Sequence, residues 1–310
     1  MALTKPNRYA KHFVAIDIGS NSFHLIIVRE HNGQVEVIYK QKQSIKLALG
    51  LEINNIINED CLQRAMSCLE SFSTSFAQLD NCLVTIVATY ALRQANNSQQ
   101  FIEQAANVIP YPINIISGER EAELIFFGVA YTKVINQPTL IIDIGGGSTE
   151  FIIGQQLTPQ LAQSINMGCV SFSQKFFHSG AINEDSMKAA EHYSKQLLLP
   201  ITAQYNQLGW EQTLGTSGSI KAITRIMKEL YGDSNITLKR LNRVKSQLIH
   251  WGHHDHIKFT NLSEKRQPLL AAAVAILITC FELLDIDILK YNAGGVREGL
   301  LYQLRFEQEI

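Results

Sequence analysis

Apolar residues recur along the chain in two ways, in short β-branched runs and at helical spacing within longer amphipathic stretches. In the first half this pattern predicts a hairpin over residues 13–28, followed by a third strand and by alternating helices and parallel strands. The elements predicted after the hairpin are the strand 34–43, the helix 59–79, the strand 82–89, the helix 99–108, the strand 113–116 and a helix from Ser117 to Tyr131.

The same order of elements is predicted again after Pro138. This repetition predicts an α/β protein of two similar domains, each a mixed five-stranded sheet with flanking helices. We place the domains at residues 1–124 and 125–310. The strands of the second half are predicted at 140–144, 151–153, 160–165, 212–215 and 286–291, and the helices at 184–199, 219–230, 238–249 and 269–284, with a closing helix from Val296.

Two hairpins in the chain are copies of one pattern. Asp143 follows Asp17 by 126 residues (143 minus 17), and seven residues around Asp17 meet an identical residue at that offset without a gap. Each copy is a strand ending in Asp, a tight turn of Gly, Ser or Asn, and a returning strand. The identical residues of the first copy are Ile16, Asp17, Ile18, Gly19, Ser22, Ile26 and Ile27.

Such a hairpin suits the binding of a phosphate group. The small turn residues let an anionic oxygen approach the backbone N–H groups. The Asp that ends the first strand repels phosphate, so a divalent cation must lie between them, and hard carboxylate oxygens favour Mg²⁺, with Mn²⁺ as the alternative. A single copy also occurs as an ordinary hairpin, whereas a matched pair favours phosphate binding. Two such halves are expected to place both hairpins at one interdomain cleft.

The composition of the chain indicates which kinds of partner it binds and in which cell compartment it is found. The formal net charge of −1 provides no overall basic field for nucleic acid, so a polyanion must be held by a local basic patch. The apolar stretch 269–281 is too short to span a bilayer and predicts a buried helix. Five cysteines without a Cys-x-x-Cys pattern indicate free thiols in the cytoplasm. We therefore expect neither a nucleic-acid partner nor a membrane span.

Six blocks of sequence carry a specific resemblance. They are Ala88–Asn96, Ile116–Glu123, Ile142–Glu150, Met167–Ser171, Gly215–Ala222 and Gly294–Gly299. In order and spacing they strongly resemble the exopolyphosphatase/guanosine pentaphosphate phosphohydrolase (Ppx/GppA) family of the actin, Hsp70 and sugar-kinase superfold. The resemblance implies two actin-like, ribonuclease-H-like domains. It also implies a stringent-response hydrolase that releases terminal orthophosphate from polyphosphate or from guanosine pentaphosphate (pppGpp).

The resemblance also assigns roles to residues of this chain. Glu121 matches the catalytic glutamate that activates water, although acids in a first helical turn are otherwise common surface residues. Arg93 matches a phosphate-contacting arginine, and its planar fork of donors suits a phosphoryl group. Asp143 and Glu150 match acids associated with Mg²⁺ and the attacking water, and Asp17 is the equivalent acid of the first hairpin. The expected phosphate-binding residues are Asp17, Gly19, Ser20, Asn21, Ser22, Gly145, Gly146, Gly147, Ser148, Gly215, Ser217 and Gly218.

Several alternatives remain open at this point. A kinase of the same superfold and a non-catalytic polyphosphate or alarmone sensor both fit the paired hairpins. The turn at 215–218 is expected to bind a nucleotide or phosphate, or to be only a strand-to-helix connection. The histidines of the segment 250–256 resemble a metal cluster but favour a solvated loop.

The end of the chain raises a further expectation. Many family members continue into a helical HD-type domain, and this sequence ends at Ile310. We therefore expect a grip on only a few phosphates and distributive hydrolysis. The oligomeric state stays open, with a homodimer as one alternative.

Overall fold

The computed structural model of the protein describes residues 11–51 and 54–306. The chain forms two units, one of the described residues up to Ile116 and from Leu300 onward, the other Ser117–Gly299. The boundary expected between residues 124 and 125 needs correction, because it falls inside the helix Gly118–Thr132, which belongs wholly to the second unit. The chain divides at Ser117, the residue before that helix begins.

The first unit is built on one mixed five-stranded sheet, in the order β3-β2-β1-β4-β5. The central β1 is antiparallel to β2 and parallel to β4, and both of its neighbours are apolar runs, so the middle of the sheet is buried. The elements of this unit are β1 (Lys11–Ile18), β2 (Ser22–His31), β3 (Gln34–Ser44), α1 (Glu59–Phe76), β4 (Cys82–Ala88), α2 (Tyr90–Gln94), α3 (Ser98–Ala106) and β5 (Ile113–Ile115).

The second unit repeats this topology, in the order β10-β9-β6-β7-β8. Its central β6 is antiparallel to β7 and parallel to β9, as β1 is to β2 and β4. Its elements are α4 (Gly118–Thr132), β6 (Thr139–Ile144), β7 (Thr149–Gln155), β8 (Thr158–Ile165), α5 (Cys169–Phe176), α6 (Glu184–Leu208), β9 (Gln212–Thr216), α7 (Ser217–Tyr231), α8 (Leu238–Trp251), α9 (Gln267–Leu283), β10 (Leu289–Tyr291) and the start of α10 (Val296–Phe306).

The two sheets confirm the predicted fold class. Helix α9 is buried on all sides from Leu269 to Phe281, as an apolar core helix of the second unit. Within the described residues, the stretch Glu264–Leu283 is the one helix that passes a test of length and apolarity for a membrane span, and 72% of its window is buried inside the protein. Burial of this kind is typical of a core helix.

Several elements differ from the sequence predictions, among them helix α2, which was not predicted. Helix α6 was expected to end at residue 199 but continues through Pro200 to Leu208. Proline removes one hydrogen bond to the carbonyl of Gln196, and that residue is exposed, so water can take its place. Helix α5 was not predicted. The last strand begins at Leu289 rather than Ile286, because Asp285 takes a positive φ of 47° and ends the preceding helix in a turn.

Candidate active site

The two hairpin copies have the same register but different acids. Asp17 on β1 lies opposite His24 on β2, and Asp143 on β6 lies opposite Glu150 on β7. His24 and Glu150 occupy equivalent positions of the repeat, 126 residues apart (150 minus 24). A cross-strand pair of carboxylates therefore occurs in the second hairpin and not in the first.

Three carboxylates come together in the second unit. Glu150 is 1% exposed and Glu121 is 8% exposed. The pKa of Glu150 is raised well above its usual value, first by burial and then by the negative charges of Glu121 and Asp143. Buried acids that repel one another in this way favour either a bound proton or a cation among them. The grouping brings together Glu121, Asp143 and Glu150, three of the acids that the sequence assigns to the site.

Two serines stabilise Glu150 in its buried position. The Ser164 hydroxyl donates a hydrogen bond of 2.7 Å to Glu150 Oε1, and Ser164 is the direct strand partner of Glu150 on β8. The Ser148 side chain bonds the same carboxylate. Both bonds lower the pKa of Glu150 and so oppose the larger effect of burial. Sequence reasoning missed Ser164, because its position opposite Glu150 depends on the register of β7 and β8.

Helix α4 is held in place by glycine contacts that position Glu121 in its first turn. An added Cβ on Gly128 would lie 2.1 Å from the carbonyl oxygen of Gly295. At Gly299 it would lie 1.9 Å from the carbonyl oxygen of Leu124. These close backbone approaches are open to glycine alone. Ser117 caps the start of the helix, because its hydroxyl accepts a hydrogen bond from the Arg120 N–H at 3.1 Å.

The phosphate-binding turn of the second hairpin is held by α5. Cys169 N–H donates to the Gly145 carbonyl at 3.0 Å, and Val170 N–H donates to the Gly146 carbonyl at 2.8 Å. In a trans peptide the N–H points opposite to the preceding C=O. The N–H groups of Gly146 and Gly147 therefore point away from α5, in the orientation that an anion requires.

Gly168, just before α5, lies against the same turn. A Cβ there would be 2.3 Å from the Gly146 carbonyl oxygen, so a larger residue would displace the loop. Neither Gly168 nor α5 was assigned to the site from the sequence. The signal was Gly168 followed by Ser171, whose hydroxyl accepts from the Gly168 N–H at 3.3 Å in the manner of a helix start.

The first hairpin has its turn held in an equivalent way. The Ser20 carbonyl accepts from Ala48 N–H at 2.8 Å, and the Asn21 carbonyl accepts from Lys46 N–H at 2.9 Å. The N–H groups of Asn21 and Ser22 thus point away from the segment that follows β3. Gly19 is required because a Cβ would lie 2.9 Å from the Ser22 carbonyl oxygen, which matches the 3.0 Å found at Gly145 with Ser148.

Strand β9 brings a further turn to Asp143. Thr216 is the strand partner of Asp143, and Ser217 follows it with a positive φ of 84°, which is strained for a residue with a side chain. The guanidinium of Arg266 lies over Gly218, where an added Cβ would be 1.9 Å from Arg266 Nη2. The turn 215–218 thus leads into the start of a helix and lies beside the Arg266 cation, and both features favour an anion. Arg266 was not among the predicted site residues.

A cysteine nucleophile is disfavoured at this site. Cys169 is buried, and burial raises the pKa of its thiol, although Arg266 acts in the opposite direction. A thiol that stays protonated is a poor nucleophile. The site chemistry therefore depends on carboxylates, backbone N–H groups and cations.

Arg93 belongs to the first unit. Its Nη1 donates to the Ile116 carbonyl oxygen at 2.9 Å, and its guanidinium lies 6.0 Å from the centre of the Tyr90 ring. These contacts orient the planar group at the end of the unit's last strand. The expected cleft that joins the two hairpins, and the roles assigned to individual site residues, stay predictions.

The histidine segment forms an ordered turn between α8 and α9. Ligand atoms of His253, His254 and Asp255 lie within 4.8 Å of one another. However, His253 Nδ1 accepts from the Asp255 N–H at 3.3 Å, and His253 Nε2 lies 3.2 Å from the Ser179 carbonyl oxygen. Both ring nitrogens of His253 are thus used within the protein.

The family assignment follows from the sequence as a whole. The Ppx/GppA phosphatase family matches residues 26–307. The chain belongs to the Ppx/GppA phosphatase family. The resemblance expected from the six sequence blocks is thereby confirmed, and the catalytic class of this family is that of a phosphatase.

Two relatives and one solved structure illustrate this Ppx/GppA membership. The chain is 39% identical over 295 residues to a putative exopolyphosphatase of Haemophilus influenzae, covering 95% of this chain and 91% of that protein. It is 38% identical over 298 residues to a guanosine-5'-triphosphate,3'-diphosphate pyrophosphatase of Aliivibrio fischeri, covering 96% of this chain and 60% of that protein. An exopolyphosphatase structure from Cytophaga hutchinsonii superposes with a TM-score of 0.83 at 24% identity, covering 95% of this chain and 97% of that chain, which supports the fold.

Proposed function

We propose that this Ppx/GppA protein hydrolyses a terminal phosphoanhydride and releases orthophosphate from inorganic polyphosphate or from guanosine pentaphosphate. The observation that carries the proposal is the group of three carboxylates, Glu121, Asp143 and Glu150, beside a turn whose N–H groups suit phosphate. The names of the Haemophilus and Aliivibrio relatives support these two substrates.

A divalent cation fits the residues of the second unit. Asp143 and Glu150 offer hard oxygen donors, and the raised pKa of Glu150 reflects negative charge that a cation would neutralise. We propose that Asp143 and Glu150 hold Mg²⁺ or Mn²⁺, with Asp17 as the third acid of the set. When bound, such an ion would neutralise phosphate charge and favour attack by water.

The residues of the chain have separate roles in this reaction. Glu121 accepts a proton from the attacking water while the oxygen of that water bonds to the terminal phosphorus. The bond from phosphorus to the bridging oxygen breaks, and the remaining chain leaves one phosphate shorter. The N–H groups of the glycine turn and the Arg93 guanidinium stabilise the charge of the transferred phosphoryl group, as the reaction requires positioning more than covalent chemistry.

Phosphate release tests this proposal most directly. Wild-type protein is assayed side by side on long-chain polyphosphate, tripolyphosphate and guanosine pentaphosphate, with Mg²⁺ and with chelator. We expect orthophosphate from at least one of them with Mg²⁺ and none with chelator. Binding without any phosphate release would instead favour a sensor, and transfer of phosphate from ATP to an acceptor would favour a kinase.

Two further expectations are part of the proposal. We propose a cytoplasmic location, because the five cysteines are free thiols, as is usual in a reducing compartment. The homodimer that the sequence leaves open stays a prediction, which sedimentation velocity at several protein concentrations would test.

A further inference from the structure

One face of helix α7 carries three exposed cations. Lys221, Arg225 and Lys228 are exposed, whereas most of the residues between them are buried against the core of the second unit. Spacings of four and three residues place them in one row along the helix, because neighbouring side chains on a helix surface recur at these intervals. We call this row the α7 basic stripe.

The charges of the α7 basic stripe have no carboxylate partner among the ion pairs of the described residues. The two nearest acids in sequence are used elsewhere. Glu229 accepts from the N–H groups of Thr260 and Asn261 at 3.0 and 2.9 Å. Asp233 bonds Arg240 at 2.6 Å. The stripe is therefore a row of cations outside the ion pairs of the described residues, in a chain whose formal net charge is −1.

The helix that carries the stripe begins beside Asp143 of the candidate active site. Helix α7 starts immediately after Thr216, the strand partner of Asp143. Side chains on a helix lean toward its N-terminus, so Lys221 and Arg225 extend back toward that start.

Tyr291 on β10 lies near both the α7 basic stripe and Asp143 of the candidate active site. Lys221 Nζ lies 5.9 Å from the centre of its ring. Burial and then Glu298 raise the pKa of the Tyr291 hydroxyl most strongly, but the charges of Asp143 and Arg225 also act on it. A single side chain thus lies within electrostatic reach of both the site and the stripe.

We propose that the α7 basic stripe binds the trailing phosphates of linear inorganic polyphosphate while its terminal phosphate occupies the candidate active site. This inference rests on the proposed function and selects one of its two substrate classes. The row from Lys221 to Lys228 is about 10 Å long at 1.5 Å per residue. Cations repeated at every turn of a helix match a flexible chain with charge on every unit better than a nucleotide, whose charges are confined to two short ends.

The stripe extends the grip that the sequence alone predicts. From the sequence, contacts were expected only with the few phosphates next to the hairpins. A row of cations leading away from the site would add affinity for each further phosphate that it neutralises, and would make that affinity sensitive to salt. Long chains should then bind more tightly than tripolyphosphate.

Direct binding and kinetics on the full chain test the stripe. The variant Lys221→Glu/Arg225→Glu/Lys228→Glu reverses its three charges at exposed helix positions, where glutamate is a good helix former. The matched control, Lys195→Glu/Lys239→Glu/Arg243→Glu, reverses three exposed charges of α6 and α8. Binding of fluorescent long-chain polyphosphate is measured against salt, with KM and kcat for long-chain polyphosphate and tripolyphosphate, after melting curves confirm folding.

The stripe variant should weaken long-chain binding by at least about tenfold and lower the slope of log affinity against log salt by about 2, by analogy with roughly 0.7 per phosphate on single-stranded nucleic acid. Its KM should rise much more for long chains than for tripolyphosphate, while the control triple behaves as wild type. Three results would overturn the proposed role of the stripe. They are an equal rise of KM for both substrates, an equal loss of long-chain affinity in the control variant, and no binding of polyphosphate by the wild-type protein. Wild type that binds but does not hydrolyse would refute the proposed function and leave the binding test of the stripe intact.

Discussion

Asp143 and Glu150 lie directly opposite each other on β6 and β7, with Glu150 buried and Asp143 half-buried at the end of its strand. Two carboxylates on facing strand positions repel each other, and opposed like charges destabilise a sheet. Hydrogen bonds to Glu150 from Ser164 on the neighbouring strand and from Ser148 in the turn offset part of this repulsion. This buried pair is the site at which we propose that a cation binds.

Glu121→Gln should abolish turnover and leave substrate binding nearly intact, because it removes the proton acceptor and preserves the shape of the side chain. The rate should fall on the order of 10²–10⁴-fold in single-turnover assays. Glu119→Gln is the matched control, since Glu119 is an exposed acid of the same helical turn. Wild-type turnover by the Glu121 variant would make Glu121 a simple helix residue.

Asp143→Asn should abolish metal binding and, with it, the phosphate release that depends on the metal. Mg²⁺ at about a hundred times its Kd should stabilise the wild-type fold by about 2.7 kcal/mol, visible as a rise in Tm. The Asp143 variant should lose this rise, while Asp287→Asn, at an exposed position of the same unit, should keep it. Full phosphate release in excess chelator would exclude the cation from the mechanism.

The raised pKa of Glu150 predicts how the stability of the metal-free protein depends on pH. The folded state keeps a proton on Glu150 where the unfolded chain, with an ordinary pKa of 4.5, has lost it. The free energy of unfolding should therefore fall as pH rises from that value through the raised pKa.

Glu150→Gln removes this titration, so in chelator it should be more stable than wild type at high pH and differ least at low pH. Melting curves of both proteins between about pH 5 and pH 9 measure the difference. Parallel Tm profiles would show that Glu150 does not carry the proton.

Gly128→Ala should destabilise the protein, although alanine is favoured over glycine inside a helix by up to about 1 kcal/mol. The added Cβ would lie 2.1 Å from the Gly295 carbonyl oxygen, and neither backbone can yield easily. We expect a net loss of roughly 1–3 kcal/mol, as for other overpacked sites. Turnover should fall as well, because the same helix carries Glu121.

Ala130→Gly is the control for that helix, since it costs helix propensity of up to about 1 kcal/mol without a clash. Its kcat should match wild type at temperatures where both proteins are folded. If Gly128→Ala raised the Tm instead, the close approach of α4 to the Gly295 backbone would not constrain the helix.

Arg93→Ala should lower kcat/KM for every active substrate by about 10²-fold, because a charged donor to the phosphoryl group is removed. Arg93→Lys should restore only part of this loss, since lysine lacks the planar fork. Arg29→Ala removes an exposed partner of Glu36 in the same unit and should have no effect on rate. Equal kinetics for all three variants would place Arg93 outside the site.

The sequence by itself determined the repeated topology and the residue types at the site. The offset between Asp17 and Asp143 already implied two equivalent hairpins, because a strand, a small-residue turn and a returning strand follow from local preferences. The six sequence blocks likewise identified the family. Local and repeated signals of this kind do not depend on contacts between distant parts of the chain.

Only the tertiary structure decided which groups surround these residues. The bond from Ser164 to Glu150 depends on strand register, and the contact of Gly128 with Gly295 depends on helix packing across 167 residues (295 minus 128). Arg266 reaches Gly218 from a separate turn, and the helix that carries the α7 basic stripe starts beside Asp143. Such relationships arise when distant segments pack together, and no local pattern of residues specifies them.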